Sequence, residues 1–169
     1  LSLSIELAKG RTRYVCHYRL QQAVRDMQQA TMFGREDRPG QTADTDEAIL
    51  KNVESMATDY SKGSWNGDRD LYAAVDDRLW SSVTTDRHGC LGMNCPNVRS
   101  CAQVDARKRI KAADVIVANH DLVLADLAMG GGKVLPAPSE CFYIFDEGHH
   151  LPEKAVSAFA SSHLVGSAH

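Results

Sequence analysis

Three cysteines, Cys90, Cys95 and Cys101, fall within twelve residues and are spaced C-x4-C-x5-C. Gly89, Gly92 and Pro96 lie between or beside them. Glycine lets the backbone turn where a side chain would clash, and Pro96 suits the first turn of a helix. A loop built this way can wrap a metal centre and aim thiolates and N–H groups at it. Soft thiolate ligands select zinc or an iron–sulfur cluster. Three thiolates leave one coordination position to be filled from elsewhere.

With 169 residues, 43% of them hydrophobic and 24% charged, the composition is that of a soluble globular domain with a sizeable core. The chain starts at Leu1 and ends Ser167-Ala168-His169, which reads as a piece of a longer protein. Its start lacks the charged region and cleavage site of a signal peptide. Asn119, His120, Asp121 and Asp126 interrupt the most apolar segment, Val115 to Met129, so it does not span a membrane. Five cysteines, an odd and clustered set, point to metal rather than to a secreted disulfide framework. The net charge of −3 argues against uniform coating of nucleic acid, but charge is unevenly spread. Gly40 to Asp86 carries ten acids against four bases, whereas Arg99 to Lys111 carries five bases against Asp105 alone.

Along the chain, Leu1 to Ala8 alternates apolar and polar residues and reads as a strand or a helix end. Lys9-Gly10-Arg11-Thr12-Arg13-Tyr14-Val15-Cys16 is a basic loop, equally readable as a solvated turn. Leu20, Ala23, Val24, Met27 and Thr31 recur at helical spacing and predict a helix over 17–33. Phe33 to Asp44 is a polar loop. A second helix follows over 46–60, with Asp44 and Glu47 at capping-box spacing ahead of it. Leu71, Tyr72, Val75, Leu79 and Trp80 predict a third over 70–83. After the cysteine loop, Asn97 is placed to cap a basic helix over 98–112. The acidic residues and Arg107-Lys108-Arg109 read most simply as solvated helix faces. Val115–Ala118 and Cys141–Phe145 are short apolar runs separated by a helical stretch, 122–129, and Gly130-Gly131-Gly132. They predict buried parallel strands of an α/β sheet, with a helix opened by Pro152 beyond them. Cys141, inside the second run, is expected to be a buried, inert core residue. The fold class is α/β: a mostly helical metal-binding insert, about 11 to 111, between parts of a parallel-sheet domain.

Asp146-Glu147-Gly148-His149 stands where the second run ends, and open α/β sheets place ligand chemistry at such ends. An apolar strand followed by D-E fits the second nucleotide motif of P-loop ATPases, in which the aspartate holds Mg2+ and the glutamate orients the attacking water. The bland reading is a strand leaving into a polar turn. There is no H-E-x-x-H pattern, so His149-His150 does not mark a zinc protease. Gly130-Gly131-Gly132-Lys133-Val134 only superficially resembles a phosphate loop: the first glycine and the hydroxyl residue after the lysine are missing. This segment alone is not expected to hydrolyse ATP.

Taken together, K-G-R-T-R-Y-V-C (Lys9 to Cys16), the trio Cys90, Cys95 and Cys101, A-D-V-I-V-A-N-H-D-L (Ala113 to Leu122) and F-D-E-G-H-H-L (Phe145 to Leu151) resemble, in order, the DinG branch of the XPD-like superfamily 2 helicases. Arg13 stands where asparagine is common in that family, and Gly148 where alanine is usual. The resemblance implies that residues 1–10 end a first helicase-domain segment. It makes 11–111 an iron–sulfur cluster domain and 112–169 part of a RecA-like motor with a DEAH-type motif. It implies that Cys16 joins Cys90, Cys95 and Cys101 around a [4Fe–4S] cluster, although four thiolates also suit structural zinc. It further implies ATP and Mg2+ as cofactors of the whole protein, with Asp146 holding Mg2+ through water, Glu147 serving turnover and His149 coupling nucleotide state to DNA.

The whole protein would be a 5′-to-3′ DNA helicase of the bacterial cytoplasm and nucleoid. It would act on single-stranded, forked and other repair-intermediate DNA, with single-strand-binding protein as a further partner. The cluster domain would serve as a structural wedge. Arg11, Arg13, Arg107, Lys108 and Arg109 are candidate backbone contacts and Tyr14 a candidate stacking partner. Two other classes remain open at this stage: a redox-responsive DNA-binding module, and a zinc-bound interaction domain without motor function.

Overall fold

The structure is a computed structural model that describes residues 2–32, 43–72 and 75–160; the side chains of 30–32 and 43–47 lie outside the description. Residues 33–42 of the loop expected over Phe33 to Asp44 therefore fall outside it, as do the side chains of the capping pair Asp44 and Glu47; residues 43 and 44 are already helical rather than loop. The chain divides into two compact units, Gly10–Ala106, and Leu1–Lys9 together with Arg107–His169.

The first unit is helical. Helix α1 (His17–Met32) turns Leu20, Ala23, Val24 and Met27 inward and packs on α2 (Ala43–Lys62) and α3 (Asp77–Val83). Leu20, Val53, Met56, Trp65, Leu79, Trp80 and Val83 form its buried centre with Tyr14 and Val15. Each large side chain so buried contributes about 1.5–3 kcal/mol. The indole N–H of Trp80 donates to Thr12 O at 2.7 Å, and that of Trp65 to Asp68 O at 2.7 Å, so both rings bury without an orphaned donor.

Two helix starts differ from expectation, and capping explains both. The third helix does not run over 70–83. A 3-10 turn (Arg69–Leu71) comes first, with the Asp68 side chain accepting from Asp70 N, and α3 begins only after Asp76 accepts from Leu79 N at 2.7 Å. Two aspartates offering side-chain caps interrupt the periodic pattern, and Leu71 is left exposed. The basic helix is not capped by Asn97 either. A 3-10 turn (Val98–Ser100) intervenes, and α4 (Ala102–Ala112) starts at Cys101, whose carbonyl accepts from Asp105 N at 3.1 Å.

In the second unit β1 (Ile5–Ala8) pairs in parallel with β2 (Val115–Ala118), register Ile5↔Val115 to Ala8↔Ala118. Asp114 closes one end of the pair by accepting from the backbone and hydroxyl of Ser4 at 2.9 and 2.7 Å. Ala8, Ile110, Val123 and Leu135 are the core, with Ile116, Ala118, Leu122, Leu127 and Tyr143 against it. Helix α5 (His120–Ala128) is capped by Asn119, which accepts from Leu122 N at 2.8 Å. Helix α6 (Leu151–Phe159) has Pro152 in its first turn and is tied to α5 by Lys154 on Asp121 at 2.7 Å. The chain is thus α/β with a parallel pair, but the pair is not the expected one. Cys141–Phe145 forms no strand among the described residues; Phe142 is fully exposed and Ile144 96% exposed, while Tyr143 between them packs inward. Alternation is retained there without the backbone ladder that makes a strand. Among the described residues, no helix is long and apolar enough to cross a membrane.

The glycine run has its own explanation. Gly130, Gly131 and Gly132 all have positive φ, a region that side-chain-bearing residues resist. The turn brings the N–H groups of Gly132, Lys133 and Val134 onto the buried Asp126 carboxylate at 3.0, 3.1 and 2.7 Å. These donors are satisfied by the protein's own carboxylate, which is a second reason the run is not a phosphate loop.

Candidate metal centre and strand-end motif

None of the five cysteines is in a disulfide, and all are half-buried. Four lie in the helical unit. Cys16 is held by its backbone: its N–H donates to Val83 O at 2.8 Å and its carbonyl accepts from Leu20 N at 2.8 Å, so it occupies the N-cap of α1. Cys101 holds the same position on α4. Two of the four thiols therefore stand at the positive ends of helices, where anionic sulfur is favoured. Cys95 closes the 3-10 turn Gly92–Asn94, and its carbonyl accepts from Val98 N at 3.1 Å. Cys90 Sγ accepts from Arg11 Nη1 at 3.0 Å and from Gly92 N at 3.4 Å.

Burial raises the Cys16 thiol above its usual range; the backbone N–H groups of Arg19 and Tyr18 oppose this, and nearby Cys95 and Cys101 add to it. A bound metal reverses the balance by supplying positive charge where burial disfavours a bare thiolate. Free thiols, helix N-termini and N–H donors to sulfur form a donor set that fits a thiolate-ligated centre. Among the described residues, no group of three or more His, Cys, Asp and Glu side chains is placed to hold a metal ion.

A polar frame that the sequence did not single out surrounds the cysteine loop. His17 Nδ1 lies 2.7 Å from Ser100 Oγ, Gln21 Nε2 lies 3.0 Å from His17 Nε2, and Tyr60 donates to Ser100 O at 2.7 Å. The rings of His17 and Tyr60 meet edge-on at 5.2 Å. Burial lowers the His17 pKa and raises that of the Tyr60 hydroxyl. The only linear signal was adjacency: His17 follows Cys16, and Ser100 precedes Cys101. Upstream, Asp86 accepts from His88 N and Gly89 N at 3.0 and 2.7 Å and turns the chain into Cys90. Cys141 belongs to the other unit, where its thiol donates to Ala137 O at 3.4 Å; it is half-buried rather than buried in a strand.

Asp146, Glu147, Gly148 and His149, expected at a strand end, follow a run that forms no strand, and all four are exposed. Glu147 adopts left-handed backbone, φ 49 and ψ 43, which is costly for a side-chain-bearing residue and is found at functional turns. Its N–H donates to Asp146 Oδ1 at 2.9 Å, and its Oε2 lies 3.2 Å from His149 Nδ1. Asp146, Glu147 and His149 are thus brought together, with both carboxylates open to solvent.

The candidate DNA contacts are dispersed. Arg11 is engaged by Cys90 and Arg13 is paired with Asp70. Tyr14 is 4% exposed in the helical core and offers no face for a base, so the stacking role expected of it is withdrawn. Arg107, Lys108 and Arg109 belong to the other unit, with Arg109 Nε 3.5 Å from Glu6 Oε1 and Lys108 exposed.

No protein-family model matches the chain. It is 40% identical over 98% of its length to the ATP-dependent DNA helicase DinG of Photobacterium profundum, covering 23% of that protein. It is 36% identical over 95% of its length to the proteins of the same name from Escherichia coli K12 and Salmonella typhimurium, covering 22% of each. The chain corresponds to a segment of the DinG-type helicases. It spans less than a quarter of the length of these relatives.

Proposed function

We propose that this DinG-type segment belongs to an ATP-dependent DNA helicase, to which it contributes an iron–sulfur domain and the acidic strand-end motif of the motor. The observation that carries the reading is the paired placement of Cys16 and Cys101 at two helix N-termini, with Cys95 within electrostatic reach of Cys16, inside a segment 36–40% identical to DinG helicases. Cys16, Cys90, Cys95 and Cys101 would hold a [4Fe–4S] cluster. When bound, the cluster supplies a rigid anionic node that can also accept one electron. The chain's own part is to cap it with helix dipoles and to brace its loop through His17, Ser100 and Tyr60.

At the strand end, Asp146 would hold Mg2+ through water, and Glu147 would orient the attacking water. His149, already on Glu147, would link that carboxylate to the DNA-bound state. The partner would be single-stranded or forked DNA, with 5′-to-3′ movement and the helical unit as wedge. Arg107, Lys108 and Arg109, clustered on α4, would be the backbone contacts.

Two variants of the full-length protein test this. Cys90→Ser is expected to lose iron, sulfide and unwinding together; unwinding retained without iron refutes the structural role of the cluster. Glu147→Gln is expected to bind ATP but lose at least 100-fold in turnover, on the order of a general-base loss; normal turnover removes the assignment.

A further inference from the structure

Arg11 opens the 3-10 turn Arg11–Arg13, five residues before Cys16, and reaches across 79 positions of sequence to Cys90. Its Nη1 lies 3.0 Å from Cys90 Sγ in a half-buried setting. Guanidinium cannot lose its proton in a protein, so this is a permanently charged donor on sulfur. The other sulfur contact at Cys90 is the neutral N–H of Gly92 at 3.4 Å, and the donors to Cys16 are neutral backbone groups. A donor of this kind does two things to a thiolate ligand. It fixes where the sulfur points, as outer partners of metal ligands do. It also stabilises added negative charge, because hydrogen bonds to cluster sulfurs and nearby charge set the reduction potential.

We infer that Arg11 is a positioning residue of the metal centre, holding Cys90 Sγ in place and biasing the bound cluster toward its reduced state. The inference rests on the proposed cluster and extends it to a residue that sequence reasoning had assigned to DNA. Arg13, two residues on, is the internal control: it carries the same charge on the same turn but is paired with Asp70.

The experiment is a potentiometric titration of anaerobically prepared full-length protein with a low-potential chemical reductant, followed by electron paramagnetic resonance. Iron and sulfide are assayed on the same samples. Arg11→Gln is expected to shift the midpoint potential to a more negative value at full cluster content, Arg11→Lys to recover part of the shift, and Arg13→Gln to leave it unchanged. An unshifted Arg11→Gln protein with its cluster intact overturns the inference, as does an equal shift in Arg13→Gln. If Arg11→Gln loses its cluster while keeping helical circular dichroism, recovery of iron and sulfide in Arg11→Lys supports the role and failure to recover overturns it. A wild-type protein without iron and sulfide instead refutes the cluster reading itself.

Discussion

At the scale of the residue, two glycines show how position decides what a side chain costs. Gly67 has φ +85, and a Cβ there would stand 2.6 Å from Ala102 Cβ and 2.9 Å from both Tyr60 and Val15. Its carbonyl also accepts from Val15 N at 2.8 Å, next to Cys16. Gly67→Ala combines backbone strain with overpacking and is expected to cost about 2–4 kcal/mol in chemical denaturation. An unchanged midpoint would show that the contact relaxes freely. Gly148, the departure from the family's alanine, is the opposite case. Its φ is not positive, and an added Cβ meets only Leu151 Cδ1 at 3.9 Å. Gly148→Ala is expected to stabilise by about 0.4–1 kcal/mol through the unfolded chain, read as a small rise in Tm. A fall in Tm would mean that the Asp146–His149 turn needs glycine.

Elements were legible where apolar spacing and caps agreed. Helices α1, α5 and α6 follow their apolar patterns closely, whereas β2 forms where expected but is not the buried strand predicted: Val115 and Val117 are exposed. The region before α3 and the start of α4 were not legible. Competing aspartate caps and a backbone-capping cysteine are local choices that hydrophobic spacing does not encode. The β1–β2 pair carries a pH dependence that follows from Asp114. The Ser4 backbone N–H and then its hydroxyl hold that carboxyl below its usual range. A depressed folded value means stability that is complete above the unfolded pKa, near 3.9, and is lost as pH falls through the lower folded value. The exchange protection factors along Ile5–Ala8, corrected for intrinsic rates, are therefore expected to fall below about pH 4, and Asp114→Asn to remove that dependence. An acid response equal in both proteins would assign it to other carboxylates.

On the scale of the whole molecule, the proposed centre would join positions far apart in sequence, with Cys16 and Cys90 more than 70 residues from each other. A cross-link closing a loop of that length is worth about 4 kcal/mol on the loop-closure scale of disulfides. If the proposed metal centre is present, its removal is expected to lower the unfolding midpoint of the Gly10–Ala106 unit, while the exchange protection of β1 and β2 changes little. Equal loss in both units, read by hydrogen exchange of holo and apo protein, would contradict that localisation.

Sequence by itself determined what is written in residue type and short spacing. The thiolate trio, the amphipathic helices, the acidic Asp146-Glu147 pair and the absence of a phosphate loop are of this kind, because coordination chemistry and helical period act over a few residues. Tertiary structure alone decided the rest. It turned Arg11 onto Cys90, buried Tyr14 among the helices and framed the cysteine loop with His17, Ser100 and Tyr60. It also filled the glycine turn with Asp126 and paired β2 with β1 rather than with Cys141–Phe145. Each of these outcomes depends on which distant group is available to satisfy a donor, a charge or a backbone edge, and no local pattern carries that information.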